Sequence, residues 1–181
     1  IPERAQGPLR IHDLGIVRFV LERATSTDDA FTIVQHLPLE YTLERFDVGI
    51  HYLIADPSGT VAVYERGGYH SIRQLTDGDG EVLTNTSRME DEISCDRYKT
   101  VTDNLDSVVD TVTALNVLRM ARNEDLTVWS AAFDLKALRF DLCVEQEYDK
   151  PHSFSFSEEM SRGNMQYDFS LLKLKNVQTV E

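Results

Sequence analysis

The sequence predicts an α+β protein in which helices pack on antiparallel sheets. The predicted elements follow the order of two helices, about four strands, one helix and about three strands. Short turns separate consecutive strands, which favours antiparallel pairing because parallel strands need long crossover connections. Neither an internal repeat nor an interdomain linker interrupts the chain. We therefore interpret residues 1–181 as a single domain.

Two helices are predicted in the first forty residues. Apolar residues recur at steps of three and four from Leu14 to Ala24, which is typical of an amphipathic helix. Residues 25–29 then have the spacing of a helix N-cap, in which hydroxyl and carboxylate oxygens accept free backbone N–H groups. The second helix passes through Ile33 and ends before Pro38, since the residue before a proline disfavours helical backbone.

Strands are predicted after the second helix. Residues 49–56 are apolar and β-prone, and the turn Pro57-Ser58-Gly59 separates them from a second strand at residues 60–65, so residues 49–65 predict a β-hairpin. A weaker strand is predicted at residues 71–75. The turn Asp77-Gly78-Asp79-Gly80 faintly resembles a calcium loop, but it lacks the remaining ligands and the closing Glu, so we predict a hairpin turn. A short buried strand through Val82 and Leu83 should then end at Asn85.

The second half of the chain predicts one long helix followed by strands. Helical periodicity extends from Val101 to about Ala121. The strands predicted after this helix are residues 126–135, with Trp129 in the core, residues 138–146 and residues 152–156. Residues 158–181 offer one apolar face, and their secondary structure stays open.

Composition excludes several classes of function. The net charge of −13 argues against a nucleic-acid partner, because phosphate binding needs clustered Lys and Arg. No apolar run approaches the roughly 18 residues of a membrane span. The two cysteines and five histidines lack metal-binding spacing, so we expect no metal and no cofactor. The compartment stays open, with the cytoplasm favoured.

Several short motifs follow one another in the order of a known family. They are His51-Tyr52-Leu53-Ile54-Ala55-Asp56-Pro57-Ser58-Gly59 continuing to Glu65, Val82-Leu83-Thr84-Asn85, Ser94-x-x-Arg97-Tyr98, and Thr127-Val128-Trp129-Ser130 followed by Phe133-Asp134. Together with the helix, cap and helix start at residues 18–37, they resemble the choloylglycine hydrolase and penicillin V acylase family. The resemblance covers about residues 10–157. One departure is that Thr86 and Ser87 follow Asn85, where many members have a nearby proline.

The resemblance implies a fold, a reaction and two site residues. Members have the N-terminal-nucleophile hydrolase fold, an αββα sandwich with two antiparallel sheets between helical layers. They hydrolyse linear amide C–N bonds of N-acyl substrates, such as bile salts or penicillin V, with an N-terminal Cys. Asn85 would help to form the oxyanion hole, and Arg97 would lie beside the nucleophile. The part of the family that carries this Cys has no counterpart here.

The chain is therefore expected to be the C-terminal portion of such an enzyme. Its partners would be an N-acyl amide, the missing N-terminal portion or a companion chain with the nucleophile, and a second copy of itself. A related acyl-CoA:6-aminopenicillanate acyltransferase-like or ceramidase-like activity is an alternative. A non-catalytic structural or binding module is another.

Each candidate residue also has a simpler interpretation. Asn85 could satisfy its own backbone in a turn, and Arg97 could belong to a surface charge cluster with the acidic run at residues 90–92. Cys95 stands beside Asp96, which disfavours a thiolate, so a partly buried structural role is expected. Cys143 is expected in the core.

Overall fold

The computed structural model describes residues 11–12, 15–37, 39–40, 51–65, 69–76, 78–88, 95–163, 165–168 and 178–179. These residues form a mixed α+β structure, which confirms the predicted class. The chain divides into two units, Ile1–Ile93 and Ser94–Glu181, and each is described by itself. No helix in these ranges is long and apolar enough to cross a membrane.

In the first unit, two helices pack on one face of a three-stranded antiparallel sheet. The helices are α1 (Ile16–Leu21) and α2 (Thr27–His36), and a parallel pair of two-residue strands, β1 (Ile11–His12) and β2 (Leu39–Glu40), flanks them in the chain. The sheet has the order β3 (His51–Ala55), β4 (Thr60–Glu65) and β5 (His70–Gln74). The predicted hairpin and the weaker strand are thus confirmed, whereas β1 and β2 depart from the purely antiparallel prediction.

The core of the first unit lies between the helices and this sheet. Its buried helical residues are Ile16, Val20, Ala30 and Val34, and the sheet contributes Tyr52, Ile54 and Tyr64. Side chains alternate along a strand, so the neighbours of these sheet residues point to the opposite face. That second face carries Val63 and Glu65, both of which are buried.

The predicted cap between the two helices is confirmed. Ser26 is the N-cap of α2, and its hydroxyl accepts from the backbone N–H of Asp29 at 3.2 Å. The carboxylate of Asp29 in turn accepts from the backbone N–H and the hydroxyl of Thr25, at 3.2 and 3.1 Å. The bond to Asp29 satisfies a donor that the first helical turn leaves free, and those from Thr25 tie the preceding residue to this turn. The helix before this cap ends at Leu21, earlier than the predicted end near Ala24.

The second unit has the same kind of layering. Its helices are α3 (Asp96–Asn104), α4 (Thr111–Met120) and α5 (Phe156–Arg162). Its antiparallel sheet has the order β6 (Trp129–Asp134), β7 (Arg139–Val144) and β8 (His152–Ser155). A short antiparallel pair, β9 (Met165–Gln166) and β10 (Gln178–Thr179), follows. The core between α4 and the sheet contains Leu115, Ala132, Cys143 and Tyr148.

The single long helix predicted over residues 101–121 is wrong. A 3-10 turn at Leu105–Ser107 follows α3, and a new helix begins at Thr111. Asp110 is the N-cap of α4, and a reciprocal pair of bonds between Asp110 and Thr113 forms a capping box there. The apolar periodicity continues through this break, so periodicity alone did not reveal it.

Two other predictions are also wrong. The residues around Val82 and Leu83 form no strand, although Val82 is buried. Trp129 is 55% exposed, because it is the first residue of β6 at the edge of its sheet. Some predicted features lie outside the described residues, namely residues 49–50, Asp77, the acidic run at 90–92, Ser94 and most of 169–181.

Candidate functional site

The segment that carries Asn85 lies on the sheet of the first unit. This Asn85 segment, residues 80–88, is bonded to Arg73 of β5 and to Glu65 of β4. Glu65 directly follows Tyr64, which packs on the helices. Since successive side chains of a strand point to opposite faces, Glu65 meets the segment on the face away from the helices. The segment therefore crosses from one strand to the next on that face.

A buried carboxylate holds the C-terminal end of the Asn85 segment. Glu65 is only 2% exposed. The backbone N–H of Arg88 donates to both of its carboxylate oxygens at 2.9 Å, and the Ser87 hydroxyl donates to Oε2 at 2.8 Å. His51 Nδ1 lies 2.9 Å from Oε1 but without hydrogen-bond geometry, so it contributes an ion pair only when protonated. The segment itself thus supplies most of the donors that stabilise the buried charge.

Ion pairs hold the other end of the segment. The Glu81 side chain is 5% exposed and lies 2.9 Å from the guanidinium of Arg73 and 3.0 Å from that of Arg88. The first contact is hydrogen-bonded, whereas the second has the distance but not the geometry of a hydrogen bond. Arg73 also donates to the carbonyl of Gly80 at 2.7 Å. A carboxylate this buried needs opposite charge, and the two arginines supply it.

Asn85 lies between these two anchored ends and is exposed. It is not at the tip of a strand, contrary to the prediction, but in an irregular segment fixed by side chains. An exposed primary amide on a fixed backbone can donate a hydrogen bond to an oxyanion without reorganising first. The geometry around Asn85 is therefore compatible with the predicted role, which stays a prediction.

Arg97 lies in the second unit, in the first turn of α3, and its side chain is exposed. This exposure is what the surface-cluster interpretation expects of an arginine at a helix start. The structure thus places the two predicted site residues in different units. Their role in one common site stays a prediction.

Neither cysteine has the surroundings of a nucleophile. Cys143 is fully buried on β7, and burial, followed by the nearby charges of Asp141 and Asp149, raises the pKa of its thiol. Cys95 is partly buried at the N-cap position of α3, where its side chain makes no capping hydrogen bond. Both positions agree with the structural roles expected from the sequence.

The predicted hairpin turn before the Asn85 segment is described only in part, because Asp77 lies outside the described residues, and no strand follows it at residues 81–84. Gly78 has a φ of 86°, a conformation that glycine adopts readily. The Asp79 carboxylate accepts from the backbone N–H and the hydroxyl of Thr76, at 3.0 and 2.6 Å, and these bonds lower the pKa of Asp79. Within the described ranges, no group of three His, Cys, Asp or Glu residues could hold a metal ion.

An apolar groove lies beside the edge strand of the first unit. It has a volume of about 180 Å³ and is lined by α1, Val34 of α2 and residues 52–55 of β3. Its lining is aliphatic apart from Tyr52, so it holds neither a carboxylate nor an imidazole that could act as acid or base. The groove offers binding surface but no reacting group.

Sequence reasoning missed the two buried carboxylates, although one left a signal. Glu65 sits at the same side of β4 as Val61 and Val63, and an acidic residue in a buried alternation needs a local partner. Glu81 left no such signal, because its partners lie eight residues before it and seven residues after it. In the sequence, Glu65 stood only at the end of the family-like motif that begins at His51, and Glu81 stood directly before the motif that begins at Val82.

The chain was compared with known proteins in three ways. No protein-family model, no curated protein and no solved structure matches it.

Proposed function

We propose that the chain is part of an amide hydrolase of the choloylglycine hydrolase and penicillin V acylase type, with the αββα fold of N-terminal-nucleophile hydrolases. The observation that supports this most is the setting of Asn85. The amide is exposed, while the backbone on both sides of it is held by the buried carboxylates of Glu65 and Glu81. Asn85 is also the last residue of the family-like motif Leu83-Thr84-Asn85. A rigidly held donor of this kind is what an oxyanion hole needs.

In the proposed reaction, a thiolate attacks the carbonyl carbon of an N-acyl amide, and a C–S bond forms. Asn85 donates to the oxyanion of the tetrahedral intermediate. The C–N bond then breaks, and the amine leaves with a proton from the α-ammonium group that served as base. Water hydrolyses the thioester and releases the acid. The amide donor is thus needed most when negative charge develops on oxygen.

The attacking thiolate is assigned to polypeptide outside these 181 residues. Cys143 is buried, and its pKa is raised, so its thiolate is disfavoured. Cys95 stands next to the negative charge of Asp96. An N-terminal Cys would carry its own base, the α-amine, and would need no histidine from this chain.

The test is kinetic and uses the full polypeptide that contains this chain. Its substrates are glycine-conjugated bile salts, penicillin V and acyl-homoserine lactones, with release of the amine or lactone followed. Removing one oxyanion donor should lower kcat by about 10²–10³, so we expect that loss for Asn85→Ala, with little change in KM. Asn116→Ala is the matched control, because Asn116 is exposed on α4. Wild-type turnover by Asn85→Ala would remove Asn85 from the site.

Arg97 is tested in the same assay. A residue beside the nucleophile should lower kcat/KM when it is changed to Ala, whereas a surface arginine should behave like Lys99, which is exposed on the same helix. Equal activity of Arg97→Ala and Lys99→Ala would favour the surface-cluster interpretation. Acyl transfer from acyl-CoA to 6-aminopenicillanate without hydrolysis would favour the acyltransferase alternative. The absence of turnover on every substrate would favour the non-catalytic module.

A further inference from the structure

We infer that Glu65 is a positioning residue for Asn85. Its buried carboxylate accepts hydrogen bonds from the Ser87 hydroxyl and the Arg88 N–H, which follow Asn85 in the chain. It thereby fixes the direction of the Asn85 amide. Only the kinetic consequence of this inference depends on the proposed function. The structural consequence, that Glu65 immobilises the Asn85 segment, can be measured independently of any activity.

The bonding of Glu65 is directed at the segment and not at its own sheet. Among the described residues, its carboxylate accepts hydrogen bonds from Ser87 and Arg88, which lie 22 and 23 residues further along the chain. A carboxylate at 2% exposure is expensive to bury, and an apolar residue would suit a strand that already buries Val61 and Val63. The presence of a carboxylate at this buried position is therefore explained by its hydrogen bonds to the Asn85 segment.

The position of these contacts determines the effect on Asn85. Ser87 is two residues after Asn85, so its hydrogen bond to Glu65 leaves little free chain between the anchor and the amide. Arg88 joins both anchors, because its N–H donates to Glu65 while its guanidinium pairs with Glu81. Losing Glu65 would remove these hydrogen bonds from the C-terminal end of the segment, two and three residues after Asn85.

The anchor at Glu65 consists of hydrogen bonds from the segment and does not need His51. The Arg88 N–H and the Ser87 hydroxyl donate to the Glu65 carboxylate. The guanidinium groups of Arg73 and Arg88 instead pair with Glu81. His51 Nδ1 lies 2.9 Å from Glu65 Oε1 but lacks hydrogen-bond geometry toward it. His51→Ala should accordingly disturb the segment much less than Glu65→Ala.

The first test is hydrogen–deuterium exchange on the full polypeptide, read at residues 84–88. We expect Glu65→Ala to raise the exchange rate there about tenfold or more, because the partly buried N–H of Arg88 loses its acceptor. The matched control is Asp56→Ala. The Asp56 carboxylate belongs to the same unit and likewise accepts three hydrogen bonds, but these come from Thr27 and Ser58 and not from the Asn85 segment. Unchanged exchange in Glu65→Ala, or an equal rise in the control, would overturn the inference. If Glu65→Ala does not fold, Glu65→Gln replaces it, with a smaller rise expected.

The second test is a double-mutant cycle in the enzyme, with kcat expressed per titrated active site so that unfolded protein does not count. Glu65→Ala should lower kcat about 10- to 100-fold with KM nearly unchanged, and Glu65→Gln should restore part of the loss. In an Asn85→Ala background, Glu65→Ala should cost less than about twofold more, because it acts through Asn85. A full multiplicative loss in that background would overturn the inference but leave the proposed function standing. Wild-type turnover by Asn85→Ala would instead overturn the proposed role of Asn85 in catalysis. The inference that Glu65 immobilises the segment would still be judged by the exchange experiment.

Discussion

Replacing Asp56 by Asn tests how the first unit is held together. Asp56 lies in the turn between β3 and β4, and its carboxylate accepts from the Ser58 hydroxyl at 2.5 Å and the Ser58 N–H at 2.8 Å. It also accepts at 2.9 Å from the N–H of Thr27, the first residue of α2. The bond to the Ser58 hydroxyl, followed by that to Thr27, lowers the pKa of Asp56 from 3.8 to about 2. One carboxylate thus joins the sheet to the helix.

The magnitude follows from this pKa shift. A group whose pKa is lower in the folded state stabilises the fold above its unfolded pKa, and the contribution disappears as the pH falls through the folded pKa. A shift of nearly two units corresponds to about 2.4 kcal/mol of unfolding free energy. Because the Asp56 side chain is partly exposed, solvent screening reduces this figure, and we expect about 1 kcal/mol. The contribution should be complete near pH 5 and nearly gone only near pH 1.

The assay is urea denaturation of wild type and Asp56→Asn at pH 6 and at pH 2.5. The other acidic residues titrate in the same range, so only the difference between the two proteins is informative. Wild type should be more stable by about 1 kcal/mol or somewhat more at pH 6, because Asn keeps only one oxygen acceptor. This gap should shrink to about a third of its size at pH 2.5, because the folded pKa lies still lower. A gap that is the same at both pH values would refute the reasoning, and Asp106→Asn, an exposed position, is the control.

Two further predictions concern the second unit. Asp141 is 4% exposed and accepts from two hydroxyl groups, so Asp141→Ala should lower the unfolding free energy by about 2–3 kcal/mol in urea denaturation. The exposed Asp149→Ala should lower it by less than about 1 kcal/mol, and equal losses would contradict the prediction. Cys143 should resist alkylation at pH 8 until the protein unfolds, since burial raises its pKa, while the partly buried Cys95 reacts first. Mass spectrometry of the alkylated peptides decides the order, and early labelling of Cys143 would contradict its burial.

Local signals were sufficient for the elements that the sequence predicted well. Ser26 and Asp29 are three residues apart, and the cap they form is confirmed at that position. The turn at residues 57–59 likewise lies between two strands whose pairing needs no distant contact. In both cases, the residues that decide the structure are neighbours in the chain, so spacing alone reveals them.

Periodicity failed where two arrangements produce the same pattern. The apolar positions of α3 and α4 read as one helix, because the capping box of Asp110 and Thr113 breaks the backbone without breaking the pattern. Trp129 has the right alternation for a strand, yet alternation does not say whether the strand lies at the edge of its sheet. Its partner Val144 is 3% exposed on the central strand, while Trp129 itself is 55% exposed.

The same limit decides how far a motif can predict a site. Val82 and Leu83 looked like a strand that delivers Asn85, and the structure instead fixes this residue by charges from β4 and β5. A motif preserves the order of residues, but an oxyanion donor needs a backbone that cannot move, and that property comes from partners far along the chain. We propose that Glu65 is such a partner. Under this proposal, the value of the Asn85 motif as a functional signal depends on a residue 20 positions before it, and the double-mutant cycle measures that dependence directly.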